Sequence, residues 1–167
     1  MRLNLTKCVF GLEGGKFLGF MLTYRGIEAK PNKCLAIFVL WSPTSLKEVH
    51  IFVGRLTSLS RFLPRLSEKI RPIMKTLKKA DKFAWSSECE VAFEVVNVVV
   101  SLTPFLEKPA PGSKLLLYIL VSENAISAAL VQHEGQKTVY FVGRALQDAE
   151  TQYQLIEKAE LMVVYAA

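Results

Sequence analysis

At 167 residues, 51% of them apolar and 22% charged, the chain holds enough hydrophobic material for one domain or two small ones and too much for disorder. No apolar run reaches the roughly 18–20 residues of a membrane span, and the first residues lack the apolar segment and small-residue cleavage site of a secretory leader. The formal net charge of +6 is concentrated: Arg61, Arg65, Lys69, Arg71, Lys75, Lys78, Lys79 and Lys82 face only Glu68 and Asp81 across residues 61–82, which is the whole excess. So one-sided a cluster points to a polyanion partner, although a solvated helix face has the same composition. Cys8, Cys34 and Cys89 are odd in number and form no C-x-x-C pair, which argues against a disulfide framework or a zinc site and for a reducing, intracellular setting.

Residues 1–33 read as short extended pieces. Cys8–Phe10 and Lys16–Leu22 are separated by Glu13, Gly14 and Gly15, whose glycines suit a hairpin turn, while Gly19 inside the second piece suggests a bulge or a close backbone approach. Gly26 and Pro31 close this block. Helical spacing begins at Asn32. Ser45, three before Glu48, predicts a capped helix start, with Leu46, Val49, Phe52 or Val53, Leu56 and Leu59 following and Pro64 as the stop. Ile70, Ile73, Met74 and Leu77 predict a second, strongly basic helix; Pro64 and Pro72 preclude one unbroken helix through the cluster. Ser87, three before Glu90, predicts a third, with Val91, Val95, Val96 and Val99 on one face.

Pro104, Pro109, Pro111 and Gly112 predict a loop and a domain boundary. Three strands are expected beyond it, at Lys114–Val121, Ala125–His133 and Gln136–Val142, with Glu134 and Gly135 turning between the last two. A final helix is expected from about Thr151, with Leu155, Ala159, Met162 and Val163 on its apolar side. His50 and His133 lack partners at motif spacing and read as structural or surface residues. Trp41, Trp85 and Phe93 could stack on bases but read equally as core or domain-joint aromatics.

Several segments, in order, resemble the polymerase polyprotein of gypsy-type long-terminal-repeat retrotransposons. Leu3–Phe10, Lys16–Phe20 and Arg25–Ile27 are similar to the last palm strands of such a reverse transcriptase. Pro31–Lys33 with Ala36 and Ile37 resembles the step to the thumb; Ser45–Val49, Phe52–Leu56 and Ser60–Pro64 resemble thumb helices; Phe83–Trp85 and Cys89–Phe93 resemble the connector. The ending looks most like plant elements of this group. The resemblance implies an α+β chain: the end of a palm at 1–33, thumb helices at 34–82, a connector helix and loop at 83–112, and a truncated RNase H-like unit of three antiparallel strands and a helix at 113–167.

It also implies a template–primer partner, an RNA–DNA or DNA duplex, gripped by the basic residues of the 61–82 cluster. Phe17, Leu18 and Gly19 would stand at a primer-grip-like position, and the remainder of the polyprotein would be a further partner. The intact family enzyme uses Mg²⁺. Here the palm carboxylates would lie upstream of Met1. In the RNase H-like part, the first-strand Asp of the family falls on Leu120 and the first-helix Glu on Ala159, with further aspartates expected beyond Ala167. A non-catalytic, nucleic-acid-binding and connecting fragment without cofactor or metal of its own is therefore expected. The alternatives are an RNase H-like nuclease using Glu160, which needs a helix register shift of about 100°, and a protein–protein scaffold.

Overall fold

The computed structural model describes residues 11, 13–17, 19–78, 83–102 and 105–166. The expected Cys8–Phe10 strand, Leu18, Lys79 and Lys82 lie outside these residues. No helix among the described residues is long and apolar enough to cross a membrane.

The first sheet is antiparallel, in the order β1 (Gly15–Phe17), β2 (Phe20–Thr23), β3 (Gly26–Glu28) and β4 (Phe105–Glu107). Lys16–Leu22 is not one strand with a bulge, as expected above. It folds back at Gly19, whose φ of +82° only glycine adopts without strain, and Phe17 pairs with Phe20. Gly15 consequently sits in a strand and not in the turn. Strand β4 arises inside the stretch expected to be loop. Its partner β3 lies almost eighty residues earlier, so no local pattern could reveal it. The pairing demands a glycine: Gly26 has φ +148°, and a Cβ there would stand 2.1 Å from the Leu106 carbonyl oxygen.

Between β3 and β4 run the helices. α1 (Pro31–Phe38) carries proline in its first turn, where no N–H is missed. α2 (Leu46–Thr57) is capped as expected, Ser45 Oγ accepting from the Glu48 N–H at 3.3 Å. It ends at Thr57, well before Pro64, and a 3-10 turn (Ser60–Phe62) intervenes. The short α3 (Leu66–Lys69) leads into α4 (Arg71–Lys78). α5 (Ser87–Ser101) is capped one residue earlier than expected, since Ser86 and not Ser87 accepts from the Cys89 N–H. Its buried stripe is Cys89, Ala92, Phe93, Val96 and Val100; of the expected face Val96 is buried and Val99 packs partly buried on the core, while Val91 is 60% exposed and Val95 lies outside the core.

These helices close one core around Ile37, Val49, Phe52, Leu56, Ile73, Phe93 and Val96, with Leu106 of β4 completing it. The Phe52 and Phe93 rings sit 5.0 Å apart. Trp41 does not join them. It is 91% exposed on the loop before α2, whereas Trp85 packs between Phe83 and Phe93. His50 is exposed beside the Leu46 carbonyl, and His133 is exposed at the strand turn.

The second sheet is antiparallel in the order β5 (Leu115–Val121), β6 (Ala125–Gln132) and β7 (Lys137–Ala145), with a 3-10 turn at Glu134–Gln136. All three expected strands are present; β7 runs to Ala145. After a 3-10 turn (Asp148–Gln152), α6 (Leu155–Ala166) packs on β5 and β6, enclosing Ile126, Ala128, Leu146 and Met162. The inward stripe of α6 is Lys158 and Met162. Leu155, expected inside, is 72% exposed, and Val163 is exposed too. Phe141 on β7 packs against the first core, joining the two units.

Replacing Phe52 by alanine should destabilise the chain by about 3–5 kcal/mol, because a fully buried ring is lost and its cavity remains. Val91→Ala on the exposed face of α5 should stay within about 0.5 kcal/mol. Chemical denaturation checks both: a loss for Val91→Ala well above about 0.5 kcal/mol would contradict the register of α5, and a loss for Phe52→Ala that small would contradict its place in the core.

Candidate nucleic-acid interface

The turn at Gly19 carries Phe20 into a cluster of cations. Its ring lies 5.7 Å from that of Phe62, with the Lys33 ammonium 5.4 Å and the Arg61 guanidinium 6.0 Å from its centroid. A cation over an aromatic face at such exposed sites contributes about 0.5–1 kcal/mol. Gly19 itself is close to Lys33: an added Cβ would stand 3.2 Å from Nζ. The fold thus sets Gly19, from the expected primer-grip set, against Lys33, and its neighbour Phe20 against Arg61, from the basic set. Phe17 is exposed on β1. Lys33 is the member that the sequence does not reveal, because it stands outside the 61–82 run and only the hairpin fold joins it to Arg61.

The basic set is not one uniform surface. Arg61 is exposed on the 3-10 turn. Arg65 has left-handed backbone (φ +56°), and its guanidinium donates two hydrogen bonds to the Glu68 carboxylate, at 2.8 and 2.9 Å, which neutralises it locally. Lys69 is half-buried; burial pushes its amine below the ordinary lysine range, the Arg65 charge adds to this, and Glu68 opposes it. Arg71 and Lys75, four apart on α4, are exposed on one helical face while Ile73 is buried. Lys78 ends that helix.

On the second unit, Arg144 of β7 donates to both oxygens of Glu150, at 3.0 and 2.6 Å, and its guanidinium lies 5.4 Å from the Tyr165 ring centroid. These bonds, helped by the Gln147 N–H, hold the Glu150 carboxyl below the usual carboxylate range. Lys158 is a second residue that sequence reasoning misses. It is buried, with Nζ donating to the carbonyls of Thr151 at 2.8 Å and Glu123 at 3.2 Å, so it pins α6 to two turns. Its only sequence signal is its place four residues before Met162, hidden in a charged stretch that reads as solvent face.

Neither position matched to a metal ligand carries an oxygen ligand. Leu120 alternates along β5 with Ile119 and Val121, which pack in the core of α6, so it turns to the opposite side of the sheet. Composition suggests that it fills a core beside Leu116 and Tyr118. Instead it is 41% exposed and both neighbours are exposed, because only the β7 end of that sheet face is covered. Ala159 offers no oxygen and Glu160 is exposed. Among the described residues no group of three or more His, Cys, Asp or Glu side chains is placed to hold a metal ion. The described residues do not fit a two-Mg²⁺ site, which needs several converging carboxylates.

Residues 85–167 match the family described as the RNase H-like domain found in reverse transcriptase. The chain is 32% identical over 167 residues to the retrovirus-related Pol polyprotein from transposon 297 of Drosophila melanogaster, covering 99% of the chain and 16% of that protein. It is 25% identical over 165 residues to the transposon Tf2-3 polyprotein of Schizosaccharomyces pombe, covering 97% and 12%. The chain therefore spans less than a fifth of the length of these relatives. Among solved structures, the foamy viral protease-reverse transcriptase in complex with dsDNA superposes with a TM-score of 0.74 at 23% identity, over 93% of this chain and 33% of that one. The same enzyme in complex with an RNA/DNA hybrid gives 0.76 at 23% identity, over 92% and 21%. Both likenesses show the fold.

The Arg144–Glu150 pair sets a pH dependence. A carboxyl whose folded pKa is depressed contributes stability above its unfolded value, about 4.3, and loses it as pH falls through the folded value. Glu150→Gln should lower the melting temperature at neutral pH, and the difference from the parent should vanish in strong acid, where Glu150 is itself uncharged. Thermal melts across that range check it; a pH-independent difference would contradict it.

Proposed function

We propose, from the match of residues 85–167 to the RNase H-like domain found in reverse transcriptase and from the similarity of the chain to retrotransposon polyproteins, that the chain holds a template–primer duplex and joins it to the RNase H region without cutting it. Residues 1–33 would end the palm, 34–82 form the thumb, 83–112 connect, and 113–167 begin the RNase H-like unit. The carrying observation is the exposed cationic surface of Arg61, Arg71 and Lys75, continued by Lys33 beside the Gly19 turn. Phosphates are bound by clustered Lys and Arg with little further requirement, and such contacts position a duplex without reading its sequence. The RNA/DNA hybrid and dsDNA bound by the foamy viral enzyme make a duplex the ligand to test.

Ligand chemistry supports the reading that the chain does not cut. Mg²⁺ is a hard ion that takes oxygen ligands, and neither Leu120 nor Ala159 carries one. Bringing Glu160 inward would rotate α6 by about 100° and withdraw Met162, which is fully buried, from the sheet. Burying one such side chain is worth about 1.5–3 kcal/mol.

Two measurements test this reading. Affinity for an RNA–DNA hybrid should fall steeply with salt and depend little on sequence. Changing Arg71, Lys75, Lys78 and Lys79 together to alanine should reduce the log–log salt slope by about 1 for each phosphate that is no longer neutralised; an unchanged slope would reduce the cluster to a solvated surface. Purified chain should leave the hybrid intact in Mg²⁺ and in Mn²⁺. Cleavage that survives purification and disappears in Glu160→Gln would establish the nuclease alternative instead.

A further inference from the structure

Where the helical unit meets the second sheet lies a groove of about 580 Å³, within the range of roughly 300–1,000 Å³ that ligand pockets take. One wall is the Ser60–Ser67 stretch, with Arg61 and Arg65. The other is β7 from Tyr140 to Gly143 together with Tyr165 of α6. The lining is more polar than apolar in character, which disfavours a hydrophobic side chain as its occupant.

Tyr165 is set as a platform. Glu150 holds Arg144 through two hydrogen bonds, and the guanidinium so fixed lies 5.4 Å from the Tyr165 ring centroid. Tyr165 is nevertheless 49% exposed, and it lines the groove. An aromatic ring held from behind by a clamped cation and open to a polar groove is suited to stack a flat aromatic ring. The charge opposite points to the rest of the ligand. Arg65 is neutralised by Glu68, whereas Arg61 lies against the uncharged Phe20 ring and brings its full positive charge to the groove. A stacking surface facing an arginine matches a base joined to a phosphate, and base–aromatic stacking is tolerant of base identity.

We propose that this groove takes an unpaired nucleotide of a bound nucleic-acid strand, its base stacked on Tyr165 and its phosphate toward Arg61. The proposal rests on the reading that the chain binds nucleic acid, and it adds a site that blunt duplex does not use.

The test measures fluorescence anisotropy of the full chain with three probes: a blunt RNA–DNA hybrid, and the same hybrid with a short oligothymidine overhang at the 5′ or at the 3′ end. The parent should bind one overhang probe about tenfold tighter than the blunt hybrid, the gain expected from stacking. Tyr165→Ala should erase that gain and leave blunt-hybrid affinity unchanged, while Tyr165→Phe, which keeps the ring, should preserve it. Irradiating the parent on an overhang carrying 5-iododeoxyuridine should crosslink the peptide containing Tyr165, a readout independent of how any variant folds. Equal affinity of the parent for blunt and overhang probes, a gain that survives in Tyr165→Ala, or crosslinks confined to other peptides would each overturn the site. Failure of the parent to bind any probe would overturn the proposed function and this site with it.

Discussion

The pairing of β3 with β4 is the interaction on which the remaining architecture depends. Helices α1 to α5 lie between these strands, so the ladder from Gly26 to Glu107 closes a loop that holds nearly the whole first core. Closing so long a loop costs chain entropy, although the cost grows slowly with length. The return is Leu106, which seals the base of the core, and a fixed exit for the chain. From Glu107 the chain is held at once to the second sheet: Lys137 pairs with the Glu107 carboxylate at 2.8 Å, and β4 lies against β7. Gly26 makes this possible, since any Cβ there would collide with the Leu106 carbonyl.

That arrangement determines which charges can act together. The excess charge lies at 61–82 along the chain, but folding divides it. Glu68 occupies Arg65, Lys69 is drawn into a half-buried site, and the exposed remainder is joined by Lys33 from α1 across the Phe20 ring. An electrostatic surface is a property of positions in space, and a phosphate backbone meets only the cations that share a face.

In the second unit the same division separates chemistry from structure. Lys158 and Arg144, both charged, serve to pin turns and orient a ring, and Glu150 anchors Arg144. A buried lysine whose ammonium donates to two carbonyls is a structural tie, satisfied where it stands. Among the described residues no three carboxylates on this unit are placed to share a metal ion.

The sequence by itself determined the elements whose causes are local. Ser45 caps α2 because its hydroxyl meets an N–H three residues on; β5, β6 and β7 form where strand-favouring runs are cut by Glu134 and Gly135; and the β-branched run Val95–Val100 stays helical behind a cap. The order of motifs was enough to indicate the family. What only the tertiary structure decided were the features set by distant neighbours. β4 exists because β3 offers an edge, and Gly19 turns the chain because β1 and β2 then share one sheet. The stripes of α5 and α6 each rotated from their expected faces, since periodicity shows that a helix has an apolar side but neighbours choose which residues fill it. Leu116, Tyr118 and Leu120 read as core by composition yet stand exposed, because burial belongs to whatever lies opposite a strand and a strand's own residues do not specify that.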